Sequence, residues 1–206
     1  LEKGKHVLIE KPMASSVEEG EKLIQLAKEK GLQLMCDHTF CYTGVVNKMK
    51  AIIDSGALGK LLYFDSVRVN LGLFQQDVNV IWDLAPHDLS ILDFLIDSVP
   101  VSVSAHGVCH VGNDIENMAY VSIKYEDNFI SHFHVNWLSP VKIRKTIVGG
   151  DKKMIVWDDL EADEKIKVYD KGISLTEKDQ LEKQKLLVSY RSGDMYAPNI
   201  RPTEAL

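Results

Sequence analysis

The apolar residues along this chain keep two rhythms. In the first part, the short apolar runs HVLIE (6–10) and QLMCD (33–37) bracket VEEGEKLIQLAKEKG, where Leu23, Ile24 and Ala27 recur at helical spacing. Ser15 and Ser16 stand three residues ahead of Glu18 and Glu19, the reciprocal pattern that caps a helix, and Gly31 ends it. Residues 1–37 therefore read as strand–helix–strand in the parallel α/β manner. One such unit cannot cover both faces of a sheet, so the expectation is that more of this domain lies upstream. A second helix is predicted over residues 43–55, with Val46, Met49, Ile52 and Ile53 as its stripe, and SGALGK turns the chain after it.

From Lys60 the spacing shortens towards two. LLYFDSVRVNL, PVSVSAHGVCHV, NMAYVSIKYED, FISHFHVNWLS, KIRKTIVGG and KKMIVWDD read as successive strands, most of them parted by Gly, Asn, Asp or Pro. This predicts an antiparallel meander. WDLAPHDLSILDFLI is the one clear helix within it, starting near Pro86 and burying Leu89, Leu92, Leu95 and Ile96. No internal repeat is evident. After Leu175 the tail is charged and then irregular (YRSGDMYAPNIRP), and PTEAL reads as the first turn of a helix cut short, so both ends read as truncated.

Composition adds limits. With 45% hydrophobic and 26% charged residues in 206, the chain is ordinary globular protein, enough for one large domain or two small ones. A net charge of −6 argues against nucleic acid as a partner, and no apolar run approaches the roughly 20 residues of a membrane span. The first residues lack the apolar core of a secretion signal. Cys36, Cys41 and Cys109 form an odd set without a C-x-x-C pair, which reads as reduced thiols in the cytoplasm.

Two stretches concentrate chemistry. In WDLAPHD, an imidazole at the head of a helix would be kept neutral by the positive end of the dipole and so be ready to accept a proton near pH 7. That makes His87 a candidate base, with Asp83 to orient it or share a substrate hydroxyl; the plainer reading is that His87 and Asp88 only cap the helix. In EKP, Lys11 follows an apolar strand, where open α/β sheets bind ligands, and it would hydrogen-bond a hydroxyl or stabilise a developing alkoxide. Alone it would be read as a surface lysine before a proline.

Other clusters are weaker. His132, His134 and Asn136 alternate with Phe133, Val135 and Trp137. They are expected to form a polar sheet face at a subunit contact rather than a metal site, for want of a third ligand. His106 and His110 are likewise expected to share a face. Arg68 and Asn70, at a strand end before a Gly-containing loop, are candidate substrate contacts. Lys142, Arg144 and Lys145 are read as a solvated strand, with a nucleotide-sugar phosphate as the alternative.

VLIEKP followed about 70 residues later by WDLAPHD resembles the Gfo/Idh/MocA oxidoreductases, and the likeness runs over essentially the whole chain. GKHVLIEKPMA, DSGALGKL, RVNLGLF and SAHGV read as further phrases of that family, and the run RVNLGLFQQDVNVIWDLAPHD as a sugar or nucleotide-sugar branch. The resemblance implies an α/β protein in two parts. Residues 1–37 would be the C-terminal remnant of a dinucleotide-binding Rossmann domain. Residues 38–206 would be an open-faced, mainly antiparallel sheet domain with helices on one face, binding substrate and pairing subunits.

It implies hydride transfer between a sugar, nucleotide-sugar or cyclitol carbon and the nicotinamide of NAD or NADP. His87 would be the base, Lys11 would touch hydroxyl and cofactor, and Asp83 would hold the substrate or His87. Glu10, Lys11, Pro12 and His38 would meet the cofactor, and Arg68, Asn70 and Tyr42 the substrate. A homo-oligomer, dimer or tetramer, would form through the open sheet. The chain departs from the family pattern in three ways. The G-x-G-x-x-G loop would lie upstream of Leu1, DHTFCYTG lacks the usual Arg (His38 and Tyr42 are the substitutes), and Ser90 stands where an Asp often follows the motif histidine. The rival reading is a sugar-binding or dimerisation module without catalysis.

Overall fold

The computed structural model describes residues 1–72, 74–112, 114–175 and 188–200; PTEAL lies outside them. The chain opens with β1 (Val7–Glu10), α1 (Val17–Lys30) and β2 (Leu34–Asp37), the two strands pairing in parallel with Glu10 opposite Asp37. Ser16 caps α1 by accepting from the Glu19 amide, and the Glu19 carboxylate returns to Ser15. Gly31 closes the helix in the left-handed region, at φ 62°, where a side chain would be strained. A 3₁₀ turn over Thr39–Tyr42 leads to α2 (Gly44–Asp54), capped by Thr43.

The rest is one eight-stranded sheet and the helix lying on it. After β3 (Leu61–Leu71) comes α3 (Val80–Leu95). The strands β4 (Pro100–Val108), β5 (Met118–Tyr125), β6 (Ile130–Asn136), β7 (Leu138–Gly150), β8 (Met154–Asp158) and β9 (Ile166–Tyr169) follow. A separate hairpin pairs β10 (Gly172–Leu175) with β11 (Val188–Arg191), and β12 (Met195–Tyr196) adds to the sheet edge. The order is β12-β9-β8-β7-β3-β6-β5-β4.

The meander expectation is corrected at the centre. β3 lies between β7, antiparallel, and β6, parallel, because α3 and the β4–β5 hairpin intervene in the chain before β6 returns beside β3. The irregular tail is corrected too, since it contributes β11 and β12. β9 went unforeseen, and β7 starts one residue past Trp137, earlier than KIRKTIVGG implied.

The core lies between the sheet and its helices. Phe64, Phe133, Val148 and Ile155 from the strands meet Val46 and Met49 of α2 and Ile91 and Leu95 of α3, all almost fully buried. Alternation sends Ser131, Phe133 and Val135 inward and leaves His132, His134 and Asn136 on the open face, as expected. Tyr120 stacks there on His134 at 4.5 Å and His132 at 5.8 Å. Among the described residues no group of three or more His, Cys, Asp or Glu is placed to hold a metal, and no helix is long and apolar enough to cross a membrane. His110 lies past the end of β4 and shares no strand face with His106.

The start of α3 is the main correction. The helix begins at Val80, not near Pro86, and its cap is Asn79, which accepts from the Trp82 amide at 3.1 Å. Pro86 sits inside the helix, where it deletes a backbone hydrogen bond. Burial of Ala85, Asp88 and Ile91 on either side holds the turn in place.

Candidate active site

Three stretches converge where β1 and β2 end. Lys11, just past β1, reaches across 72 residues of sequence to α3. Its ammonium donates to the Asp83 carbonyl at 2.6 Å and to Asp83 Oδ1 at 2.9 Å. The other carboxylate oxygen, Oδ2, accepts from Trp137 Nε1 at 3.0 Å. Both oxygens of Asp83 are thus engaged, and Lys11 keeps one N–H beyond its two bonds to Asp83. The two side chains are 19% and 20% exposed, so the pair borders the solvent rather than the core. Gly72 donates its amide to the Trp137 carbonyl at 3.0 Å, and Phe74 meets the indole edge-on at 5.8 Å.

His87 lies one turn beyond Asp83 on the same helix. Its Nδ1 is buried without a partner among the described residues, and the Phe40 ring meets it edge-on at 5.1 Å. Its pKa is lowered to about 3, chiefly by burial, then by the positive charges of Arg68 and Lys11 and more weakly Arg144, against the pull of Asp83. The imidazole is neutral, as expected, but not through the helix dipole: α3 starts too far upstream, and burial beside cations replaces that cause. Asp83 does not orient His87 either; it is committed to Lys11 and Trp137.

The remaining candidates divide. Glu10, Lys11, Pro12 and His38 stand together at the carboxyl edge of the β1–β2 pair, with the Lys11–Pro12 peptide cis. Beside them, Asp37 Oδ1 and His38 Nδ1 are buried and without a partner among the described residues, so this edge presents polar atoms that a hydroxyl- and amide-bearing group would satisfy. Tyr42, His38 and Cys36 line an open cavity of about 610 Å³ together with Pro86 and Ser90 of α3.

Arg68 is a correction. β3 runs on to Leu71, and Arg68 points under α3, 4% exposed, paired through two nitrogens with Asp88 at 2.9 and 2.8 Å. Asn70 is half-buried on the same strand. Arg144 and Lys145 pair with Asp159 and Asp158, which leaves them poor phosphate ligands. Sequence reasoning missed Trp137 and Phe40; the inward phase of the FHVNW alternation could have flagged the first, and nothing in the sequence flags the second.

Comparison with known proteins bears on this geometry. The family model described as the GFO/IDH/MocA C-terminal domain matches residues 46–156, and one described as an oxidoreductase family with an NAD-binding Rossmann fold matches residues 1–38. The 2,7-anhydro-N-acetylneuraminate hydratase of Mediterraneibacter gnavus is 28% identical over 143 residues, 62% of this chain and 38% of the relative. The UDP-N-acetylglucosamine 3-dehydrogenase of Acidithiobacillus ferrooxidans is 32% identical over 114 residues, 54% of this chain and 34% of the relative. An inositol dehydrogenase homologue from Azotobacter vinelandii, solved with NADH and myo-inositol, superposes with a TM-score of 0.75. That match covers 95% of this chain and 52% of that one, and at 17% identity it speaks to the fold alone. The chain thus spans about half of that solved relative and little more than a third of the two curated ones.

Proposed function

The chain belongs to the GFO/IDH/MocA oxidoreductase family, and from that premise we propose that it carries the proton-transfer half of an NAD(P)-dependent oxidoreductase acting on a hydroxyl carbon of a sugar, nucleotide-sugar or cyclitol. The observation that carries this reading is the Lys11–Asp83 hydrogen bond with a neutral, half-buried His87 one turn along the helix. It joins a lysine at the edge of the dinucleotide-binding fold to an imidazole on the sheet domain.

NAD or NADP, when bound, supplies the hydride acceptor or donor. Glu10, Lys11, Pro12 and His38 are the residues that would hold it, and the orphaned atoms of Asp37 and His38 fit a ligand of that polarity. In the oxidation direction His87 takes the hydroxyl proton. Its Nδ1 is buried, so Nε2 is the nitrogen that meets the substrate. Lys11 directs its remaining N–H at the same hydroxyl oxygen and stabilises the charge that grows there. Asp83, held by Trp137, keeps the Lys11 ammonium in place. Tyr42 and Asn70 would contact the sugar.

The same reading assigns residues 1–37 to the nucleotide domain and 38–206 to the substrate domain. It places the protein in the cytoplasm, with its three cysteines as free thiols. It also lets the open sheet face pair with a second copy of the chain. The UDP-N-acetylglucosamine 3-dehydrogenase relative supports the substrate class. The test uses the full-length gene product: His87→Ala and Lys11→Ala each lower kcat by about 10²–10⁴-fold with the circular dichroism spectrum unchanged. Near-wild-type turnover in both would overturn the assignment in favour of a binding module.

A further inference from the structure

One buried charge pair in this molecule is not used by the chemistry above. Arg68 and Asp88 are joined by two nitrogen–oxygen contacts of 2.9 and 2.8 Å, and their side chains are 5% and 3% exposed. A buried pair of this kind is a poor way to gain stability, since apolar residues of similar volume often serve as well or better. What it does supply is a fixed position and a fixed charge. Asp88 follows His87 directly in α3, so holding its carboxylate holds the rotation of the helix at the imidazole. The guanidinium of Arg68 also lies 4.7 Å from the centre of the Phe40 ring, and Phe40 in turn sits edge-on against His87 at 5.1 Å. Phe40 belongs to the 3₁₀ turn that follows β2, the strand beside Lys11's own. One guanidinium therefore grips the sheet, the helix of His87 and the turn leading from the β1–β2 unit.

We propose that Arg68 and Asp88 are positioning residues for His87, the pair clamping α3 to the sheet while Arg68 presses Phe40 against the imidazole and presents a fixed positive charge to it. The charged groups facing His87 are Lys11 from the end of β1, Asp83 from its own helix, Arg68 from β3 and Arg144 from β7. The 3₁₀ turn contributes only the uncharged Phe40. Of the cations, Arg68 acts most strongly, and it is the one held rigidly by two bonds. The role first expected for Arg68, contact with substrate, is replaced by one exerted through Phe40 and Asp88.

This inference rests on His87 being the proton acceptor, and the test separates the two. In the full-length gene product, the double variant Arg68→Met/Asp88→Leu removes both charges and leaves apolar volume in their place. The midpoint of the acid limb of kcat/KM, and the His87 titration followed by ¹⁵N NMR, are both expected to move up by about one pH unit or more. An imidazole titration unchanged within about 0.3 units would overturn the proposal, because a purely structural pair would not move it. Arg68→Lys keeps the charge and loses the fork and the flat face. It is expected to lower kcat by about tenfold with KM within about twofold, and wild-type kcat in that variant would equally overturn it. Undiminished turnover in His87→Ala, by contrast, would strike the functional reading itself, while the NMR titration would still report whether Arg68 governs His87.

Discussion

The unit formed by β1, α1 and β2 and the sheet domain after it differ in how much of their packing lies within these 206 residues. Among residues 1–42 only Gly20, Ala27 and Asp37 are fully buried, and Leu8, Val17, Ile24 and Met35 stand exposed. Among the described residues the two strands pair only with each other. The sheet domain instead packs an almost continuous apolar layer between eight strands and two helices. Yet the candidate site draws on both, with Lys11 on the lean unit and Asp83 and His87 on the packed one. Within these residues, the partners that fix the site come from the sheet domain. Asp83 reaches out from the sheet domain to hold Lys11 of the other unit, and Arg68 holds Phe40 in the turn that follows β2.

The comparison breaks most visibly if the packed side proves soft. Phe133 is fully buried at the middle of β6, tilted against Phe64 at 5.7 Å. Phe133→Ala is expected to destabilise the sheet domain by about 3–5 kcal/mol, transfer loss and cavity together. Urea unfolding followed by tryptophan fluorescence reads this domain directly, because Trp82, Trp137 and Trp157 all lie in it. A loss below about 1 kcal/mol would mean the core collapses around the hole and the contrast drawn above is wrong.

A smaller effect tests the site side of the contrast. His87 is neutral in the folded protein, with its pKa lowered to about 3 from an ordinary 6.5. Between these values the unfolded chain binds the proton and the folded one does not. Stability is therefore at its full value above about pH 6.5 and is lost progressively as pH falls towards about 3. His87→Gln is expected to flatten that slope by close to one proton's worth, measured as the urea midpoint against pH. An unchanged slope would mean that His87 protonates in the native state as easily as in the unfolded one.

How much of this was legible follows from where the causes lie. The β1–α1–β2 unit could be read almost residue by residue, since caps, spacing and Gly31 are local signals. The Lys11, Asp83 and His87 set was also visible, though only as two motifs far apart whose joining needed the fold. Two things were hidden. Proline's preference for a first helical turn outweighed Asn79, although Asn79 followed by Val80 and Ile81 is a cap and an apolar start. Tertiary burial, which no local rule carries, is what allows Pro86 inside the helix. Arg68 was misplaced for a similar reason: alternation puts it in phase with Phe64 and Ser66, and only the partner Asp88, 20 residues on, makes a buried arginine tolerable. The parallel β3–β6 pairing is a matter of long-range topology, for which a string of alternating strands carries no marker.

The smallest expected effect sharpens the contrast from its lean side. Within these 206 residues Leu8 lies in the middle of β1 with 66% of its surface exposed, so in a chain of this length its side chain gains little from folding. Leu8→Thr installs a β-branched, strand-favouring residue and removes apolar surface that is mostly in water within these 206 residues. The stability of the β1–β2 pairing should change by no more than about 0.5 kcal/mol, the usual range for surface sites. Tryptophan fluorescence does not see this unit, so amide hydrogen exchange at Val7 to Glu10 is the measurement. Protection should stay within about twofold of wild type. A loss of tenfold or more, about 1.4 kcal/mol, would show that Leu8 is packed against something, and that β1 is anchored by its outer face as well as by β2 and the Lys11–Asp83 bond.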